Sequence, residues 1–258
     1  MKFNANYPVF IAISAMISLS FLSSCKKSNS NPTPISTVDS LKIGLVAYYP
    51  FNNNANDASG NGNDGTLNSV TSTNDRNGKA NAAYQFDGVQ SYISVPDKQA
   101  LRLANTDFTL NAWIKMDAYN AASGSIILAK RITGLNNGYT WGVHGLVDAN
   151  AGKVTYGPGG GSNNAFSNGT VPIGSWHMVT AEYTLATAQL RIYIDGTLNS
   201  VSDGISSANP NITTLLFIGG DDPSLGTSYF FQGSLDEVRI YSRVLSNNDL
   251  HKLYTSTN

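Results

Sequence analysis

The sequence predicts an all-β domain, a sandwich or a barrel, with one short helix at its C-terminal end. From about residue 44 onward, short apolar runs alternate with turns rich in glycine, asparagine and aspartate. Charged residues make up only 13% of the chain, whereas glycine contributes 24 of its 258 residues. This composition is typical of a chain with many turns and few salt-bridged helices.

The strand predictions follow the alternation of apolar and polar residues. Residues 107–117 are the clearest case, because every second residue from Phe108 to Met116 is apolar and falls on one face. The dipeptide Asp195-Gly196 predicts a hairpin turn, since such a turn needs positive φ angles. The other predicted strands cover residues 44–51, 82–88, 91–97, 124–131, 138–147, 175–184, 188–196, 215–220 and 233–245.

One segment, residues 246–254, has the pattern of a helix. Ser246 fits an N-cap position, and Asp249 three residues later fits its acidic partner. Leu250 and Leu253 would hold this helix against the sheet.

The N-terminus predicts a secretory signal over residues 1–24 and a lipidation site at Cys25. Residues 9–22 are apolar and too short for a membrane-spanning helix of about 20 residues, but they fit the h-region of a signal peptide. Residues 22–25, LSSC, resemble a bacterial lipobox, in which cleavage precedes the cysteine and its thiol receives the lipid. The alternative is an ordinary secretory signal with an incidental cysteine. Because Cys25 is the only cysteine, an intramolecular disulfide is excluded.

Residues 25–43 are predicted to be the lipidated cysteine and a flexible linker, because this stretch is polar, contains prolines and lacks an apolar period. The folded domain is then expected to cover residues 44–258. This organisation predicts an outer-membrane lipoprotein of the cell envelope. No acidic run follows Cys25, so the periplasmic and surface faces of the membrane remain alternatives.

Seven blocks of sequence follow one another in the order and spacing of a known family. They are residues 44–67, 83–96, 108–115, 176–183, 190–198, 216–221 and 231–254. Together they resemble the laminin G-like jellyroll domains of the concanavalin A-like lectin/glucanase superfamily. The resemblance implies a two-sheet antiparallel β-sandwich whose first and last strands are adjacent in one sheet.

A loop rich in side-chain oxygens, DASGNGNDG at residues 57–65, follows the first predicted strand. Calcium takes six to eight oxygen ligands, including backbone carbonyls, and Gly60 and Gly62 would allow carbonyls to turn inward. The resemblance implies a structural Ca²⁺ shared between this loop and the last strand. The candidate metal ligands are Asp57, Asn61, Asn63, Asp64 and Asp236. The alternative is a turn whose Asn and Asp side chains bond their own backbone.

The sequence contains few of the residue patterns that catalysis requires. Its two glutamates, Glu182 and Glu237, are far apart, whereas the glucanases of this superfamily use two glutamates a few residues apart on one strand. His144, His177 and His251 occur without a G-x-S-x-G or H-E-x-x-H motif. Each histidine is therefore interpreted as a structural or surface residue, and an enzyme is not expected.

Aromatic residues near asparagines indicate a candidate sugar-binding surface. Tyr139 and Trp141 share one face of a predicted strand, and Tyr156 and Asn163 follow. The alternative places these aromatic rings in the core. The net charge of −1 and the pI near 6.3 provide no field that would attract nucleic acid.

Three functions are compatible with these observations. The first is a lectin-like module that binds glycans, and the second is an adhesion module that binds an extracellular or surface protein. A glycoside hydrolase-type enzyme is the third and least favoured. The lipid anchor would make the membrane a further partner.

Overall fold

The computed structural model describes residues 1–4, 8, 39–121, 124–132, 137–159, 163–208, 212–225 and 229–256. Cys25, nearly all of the predicted signal peptide and most of the predicted linker lie outside the described residues. The chain divides into a unit of residues 1–37 and a compact unit of residues 38–258. Within the described ranges, no helix is long and apolar enough to cross a membrane.

The described part of the compact unit contains fifteen strands and one α-helix, α1 (Asn247–Thr255). The strands are β1 (Leu45–Tyr49), β2 (Thr66–Asn68), β3 (Thr71–Thr73), β4 (Ala83–Asp87), β5 (Tyr92–Val95), β6 (Phe108–Met116), β7 (Gly124–Lys130), β8 (Tyr139–His144), β9 (Lys153–Gly157), β10 (Ala165–Thr170), β11 (Trp176–Thr184), β12 (Gln189–Ile194), β13 (Thr197–Ser202), β14 (Leu216–Ile218) and β15 (Gln232–Tyr241).

The strands form two antiparallel sheets that pack face to face, which confirms the predicted jellyroll sandwich. The eight-stranded sheet has the order β13-β12-β11-β6-β15-β4-β3, and β1 also pairs with β15. The seven-stranded sheet has the order β10-β9-β8-β7-β14-β5-β2. Since Tyr49 lies opposite Val238 in the β1–β15 pair, the first and last strands are neighbours, as the resemblance implied.

The core lies between the sheets and is filled by alternate residues of each strand. In β6, all five residues of the predicted apolar face, from Phe108 to Met116, are fully buried. The turn between β12 and β13 has φ values of 52° at Asp195 and 73° at Gly196. Positive φ at both positions is the geometry expected of this hairpin turn.

The predicted helix forms and covers part of the outer face of the eight-stranded sheet. Ser246 and Asp249 make the expected capping box, which satisfies backbone N–H groups of the first turn. Leu250 and Leu253 are buried in a cluster that includes Trp113 and Met178 of the sheet.

The segment before β1 also belongs to the folded unit. Ser40–Lys42 forms a short 3-10 helix, and the Ser40 hydroxyl donates a 2.6 Å hydrogen bond to Asp249 of α1. The Arg243 guanidinium donates to the carbonyl oxygens of Ser40 and Ile43, both at 2.7 Å. The folded unit therefore begins before the predicted boundary at residue 44.

Candidate functional site

An open groove crosses the outer face of the seven-stranded sheet. Its floor is formed by residues of β8 and β9 with small side chains, among them Thr140 and Thr155. Gly142, which is buried between them in the sheet, is required by close packing, since a Cβ atom there would lie 2.3 Å from the carbonyl oxygen of Ser125. Large side chains are therefore confined to the sides of the groove.

One side of the groove combines an aromatic ring with a fixed cation. The Arg131 guanidinium carbon lies 5.6 Å from the centroid of the Tyr229 ring, within the range of a cation–π contact. Two nitrogens of Arg131, Nε and Nη2, donate to one oxygen of Asp221 at 3.0 and 2.8 Å. Because Asp221 is buried, this pair holds the guanidinium in one orientation.

The opposite side is formed by His144 and the residues around it. The His144 ring meets the Phe166 ring edge-on, with centroids 5.3 Å apart and an interplanar angle of 88°. Asn164 contributes an amide to the lining. The groove therefore combines aromatic rings with hydroxyl and amide groups. Its guanidinium is paired with Asp221, and Nε2 of its imidazole lies 3.1 Å from Asp148 Oδ2.

The groove encloses a cavity of about 140 Å³. The lining residues are Gly124, Ile126, Arg131, Thr140, His144, Thr155, Asn164 and Tyr229. Sites for small molecules usually combine apolar walls with a few polar groups that fix orientation, and this mixture suits a ligand rich in hydroxyl groups.

A larger cavity of about 350 Å³ lies where residues 39–42 meet the outer face of the eight-stranded sheet. Arg239 and Tyr48 line it, but their polar groups are engaged with Glu237. Arg239 donates to the Glu237 carboxylate, and the Tyr48 hydroxyl donates to the same carboxylate at 2.9 Å. This cavity is larger than the groove, but its Arg239 and Tyr48 groups bond to Glu237. The groove, where rings stand beside hydroxyl and amide groups, is therefore the better candidate for a ligand rich in hydroxyls.

The Asx-rich loop at residues 57–65 covers the free edge of β1. Asp57 accepts hydrogen bonds from the backbone N–H groups of Tyr48, Ser59 and Asn63, at 3.0, 2.9 and 2.9 Å. Burial would raise the pKa of Asp57, but hydrogen bonding to the Ser59 side chain and to these backbone groups outweighs it and holds the pKa below its usual value. Asn61 and Asn63 donate side-chain N–H groups to the carbonyl oxygen of Val46. The loop thus pairs a strand edge that would otherwise be exposed.

The same loop was predicted to bind calcium together with Asp236, and the structure does not bring these residues together. Asp236 pairs with Arg76 at 3.2 Å, whereas Asp64 accepts from the backbone N–H of Asp57 at 2.8 Å. In the described part of the chain, no three His, Cys, Asp or Glu side chains are placed to share a metal ion. Lys98 Nζ already contacts the carbonyl oxygens of Asn61 and Gly62, both at 2.7 Å.

One observation fits a cation at the loop. The Oδ1 atom of Asn63 is buried and has no hydrogen-bond partner among the described residues. Calcium at this position would depend on amide and backbone oxygens rather than on Asp236. The calcium site stays a prediction.

The predicted aromatic platform requires a correction. Tyr139, Trp141 and Tyr156 are fully buried between the sheets, where Tyr139 and Tyr156 stack with centroids 6.4 Å apart. These three rings therefore belong to the core and do not form an exposed sugar platform. Asn163 is exposed, and its side-chain nitrogen donates to the carbonyl of Gly204.

For Tyr139, Trp141 and Tyr156 the prediction chose the wrong face, since these residues lie on β8 and β9, the strands that form the floor of the groove. Tyr139 and Trp141 point inward, so their neighbour Thr140 points outward, as alternation along a strand requires. Tyr229 was missed because no pattern in its surroundings placed it beside Arg131, which lies far away in sequence.

Glu182 and Glu237, the two glutamates of the chain, both lie outside the groove. Glu182 is buried on the outer face of the eight-stranded sheet, where it accepts a 3.1 Å hydrogen bond from the backbone N–H of Leu245. Glu237 is buried with Tyr48 and Arg239. The two carboxylates thus have separate structural partners.

The two stacked antiparallel sheets define a jellyroll sandwich. A family model described as the concanavalin A-like lectin/glucanases superfamily, laminin G type, matches residues 87–251. The chain belongs to this superfamily. A comparison with curated proteins gave no match.

Solved structures with the same fold include several binding domains. One is domain 4 of AbnA, a GH43 extracellular arabinanase from Geobacillus stearothermophilus, in complex with arabinotriose. It is 21% identical, has a TM-score of 0.62, and the match covers 82% of this chain and 98% of that domain. The binding domain of Paraclostridial Mosquitocidal Protein 1 is 17% identical with a TM-score of 0.64. That match covers 83% of this chain and 52% of the other.

A third structure is the binding domain of botulinum neurotoxin DC in complex with rat synaptotagmin II, 14% identical with a TM-score of 0.59. The match covers 83% of this chain and 52% of that domain, so this chain spans about half of each toxin domain. At these identities the likeness shows the fold alone.

Proposed function

We propose that this protein is a cell-envelope binding module that holds glycans in the groove of the seven-stranded sheet. The groove supports this function because it presents the Tyr229 and His144 rings beside the hydroxyls of Thr140 and Thr155. Rings of this kind can pack against the C–H faces of sugars, while hydroxyl and amide groups bond sugar hydroxyls. The groups lie on or beside rigid strands, which favours a preorganised site.

The related structures support a binding role in general terms. The arabinanase domain was solved with an arabinose oligosaccharide, and another structure of the fold concerns a neurotoxin that depends on two ganglioside molecules for cell entry. These ligands belong to the related proteins, and neither is assigned to this chain. They make glycans the first class of molecule to test.

The proposal is tested on a glycan array followed by titration calorimetry of the best ligand. Tyr229→Ala and Asn164→Ala should each weaken binding about tenfold, since a contact worth roughly 1.4 kcal/mol changes affinity by that factor. Asn248→Ala is the matched control, because Asn248 is exposed on α1 and away from the groove. Unchanged affinity in both groove variants would contradict the proposal.

The adhesion alternative has a distinct outcome in the same experiment. A module that recognises a protein should bind no glycan on the array, yet bind an extracellular protein in a manner that free sugars do not inhibit. The neurotoxin domain solved with synaptotagmin II makes this the second class of partner to test.

The proposed module is anchored through a lipid on Cys25 and faces either the periplasm or the cell surface. The lipobox-like run at residues 22–25 supports this anchor. Mass spectrometry of the membrane-extracted protein should detect a diacylglyceryl group on Cys25, and Cys25→Ser should release the protein from the membrane fraction. A membrane-bound Cys25→Ser variant would contradict the anchor.

The proposed calcium ion is held by the loop at residues 57–65, and the orphaned Oδ1 of Asn63 supports it. Calcium that binds the folded state raises the melting temperature by mass action. Thermal unfolding in calcium and in excess chelator should therefore differ, and Asn63→Ala should reduce the difference. Identical melting curves would count against the ion.

A further inference from the structure

Ser175, His177 and Asp195 meet at one end of the sandwich in the geometry of a catalytic triad. The Ser175 Oγ lies 2.9 Å from His177 Nε2, and His177 Nδ1 lies 2.8 Å from Asp195 Oδ2. These are the two hydrogen bonds that join nucleophile to base and base to orienting carboxylate in a Ser-His-Asp site. From the sequence, His177 is interpreted as a structural or surface residue because no nucleophile motif surrounds it.

The local fold explains how the three residues meet without a motif. Ser175 directly precedes β11 and His177 is its second residue, and the 2.9 Å contact shows that the two side chains lie on the same side of the chain. Asp195 lies in the turn between β12 and β13, and β12 pairs with β11. The turn is fixed to β11 because Asp195 N–H donates to the Met178 carbonyl at 2.8 Å.

The second oxygen of Asp195 is held as well. Asp195 Oδ1 accepts a 2.9 Å hydrogen bond from the backbone N–H of Met178, which leaves Oδ2 for the imidazole. An Nδ1–H that donates to Oδ2 leaves Nε2 unprotonated and able to accept from the Ser175 hydroxyl. The carboxylate therefore selects the tautomer that a general base needs.

The nucleophile is open to solvent. Ser175 is exposed, and the preceding Gly174 has so much free space that a Cβ atom there would find no atom within 4 Å. The side chains of His177 and Asp195 are only 16% and 32% exposed, so the base is partly shielded while the hydroxyl is accessible. An ester can approach Ser175 from this open side.

We propose that Ser175, His177 and Asp195 form a hydrolytic site for carboxylic esters, separate from the glycan groove. The Ser175 Oγ attacks the ester carbonyl carbon, and His177 Nε2 takes the hydroxyl proton. The bond from that carbon to the alkoxy oxygen then breaks, and the leaving alcohol receives the proton from His177. Water attacks the acyl-serine with His177 again as base, which releases the acid and restores the Ser175 hydroxyl.

The test uses the full chain with p-nitrophenyl acetate and a fluorophosphonate probe. The probe should add one adduct that peptide mass spectrometry locates on Ser175, and ester hydrolysis should exceed that of Ser175→Ala by about 100-fold, within the range for a positioned general base. His177→Ala should lose activity to a similar extent. Asp195→Asn keeps a residue that tolerates positive φ in the turn and should lose part of the activity.

Ser206→Ala is the matched control, because Ser206 is exposed and has no histidine partner in the described structure. This variant should retain full activity and the Ser175 adduct. Hydrolysis by Ser175→Ala at the rate of the native chain would overturn the proposal, since His177 would then act as the nucleophile itself. A native chain that neither reacts with the probe nor hydrolyses the ester would overturn it too.

Discussion

The outer faces of the two sheets differ in what covers them. On the eight-stranded sheet, α1 and residues 40–43 lie over an apolar cluster that includes Trp113 and Met178. On the seven-stranded sheet, the outward residues of β8 and β9 line an open groove. The two faces belong to one sandwich, yet the first is largely covered by other segments of the chain and the second carries an open groove.

The charged groups of the covered face are engaged within the protein. Arg76 donates to Asp236 at 3.2 Å and to the backbone carbonyl of Ser256 at 2.6 Å, and its guanidinium lies 4.6 Å from the Trp113 ring centroid. Tyr254 of α1 stacks on that ring, with centroids 5.6 Å apart. These contacts hold α1 against the covered face.

The largest expected effect is on the helix that covers the eight-stranded sheet. Leu250→Ala should lower the free energy of unfolding by about 3 kcal/mol, as is usual when a buried leucine is truncated, because Leu250 is only 1% exposed. Urea denaturation followed by tryptophan fluorescence measures the change. A loss below about 1 kcal/mol would show that the helix contributes little to the stability of the domain.

The Arg76 contacts should contribute nearly as much. Arg76→Ala removes a charged hydrogen bond to Ser256 and the partner of a buried carboxyl, so we expect a loss of about 2 kcal/mol. Burial and the neighbouring Glu237 raise the pKa of Asp236 to about 8, against the opposing effect of Arg76. Urea denaturation of Arg76→Ala, of Asp236→Asn and of the double variant measures whether the two losses of unfolding free energy are coupled. Additive losses would contradict the pairing of Arg76 with Asp236.

The pH dependence of stability provides a smaller test of the covered face. Burial raises the pKa of Glu182 to about 7 from 4.5. A raised folded pKa favours the protonated form, so this contribution is complete below about pH 4.5 and is lost as the pH rises through about 7. When the pH is raised from about 5 to about 8, the free energy of unfolding should therefore fall less in Glu182→Gln than in the native chain, by about 1–2 kcal/mol.

This difference is measured by urea denaturation at both pH values. Asp236 is present in both proteins, so its contribution cancels when the change in unfolding free energy of Glu182→Gln is subtracted from that of the native chain. Equal changes in the native chain and in Glu182→Gln would contradict a raised pKa at Glu182.

The smallest expected effect is on the open face. Thr155→Ala should change the free energy of unfolding by less than about 0.5 kcal/mol, as for most surface positions, because Thr155 lines the groove and is only partly buried. The same substitution should weaken binding of any groove ligand. A large loss of stability would show that the groove floor contributes to the core, and the two faces would then not differ in this respect.

Much of the fold could be predicted from the sequence because local patterns and global packing agree. The alternation in β6, the Asp195-Gly196 turn and the Ser246 cap each specify their own geometry through nearest neighbours. The adjacency of β1 and β15 came from the family resemblance instead, because no local rule relates residues nearly two hundred positions apart.

The candidate site was predicted less well, and the aromatic residues show why. Alternation places Tyr139 and Trp141 on one face of β8, but a strand covered on one side only can bury either face. Asp236 was placed beside the calcium loop from strand pairing, yet its side chain points to Arg76, whose position depends on the β3–β4 loop. The contact of Ser175 and His177 with Asp195 was not predicted because it depends on the pairing of β11 with β12 and on the turn that follows β12.

The sequence by itself determined ten of the fifteen described strands, the hairpin turn and the capped helix, since these depend on side-chain alternation, positive φ and first-turn hydrogen bonds within a few residues. It did not predict β2, β3, β9, β10 and β13. Only the tertiary structure decided which face of each strand is buried, that Tyr229 stands beside Arg131, and that Asp195 reaches His177. Those relations depend on how the two sheets stack and on which elements cover them. The hydrophobic effect favours burial of apolar surface in the assembled domain as a whole, so a single segment does not specify which of its faces is buried.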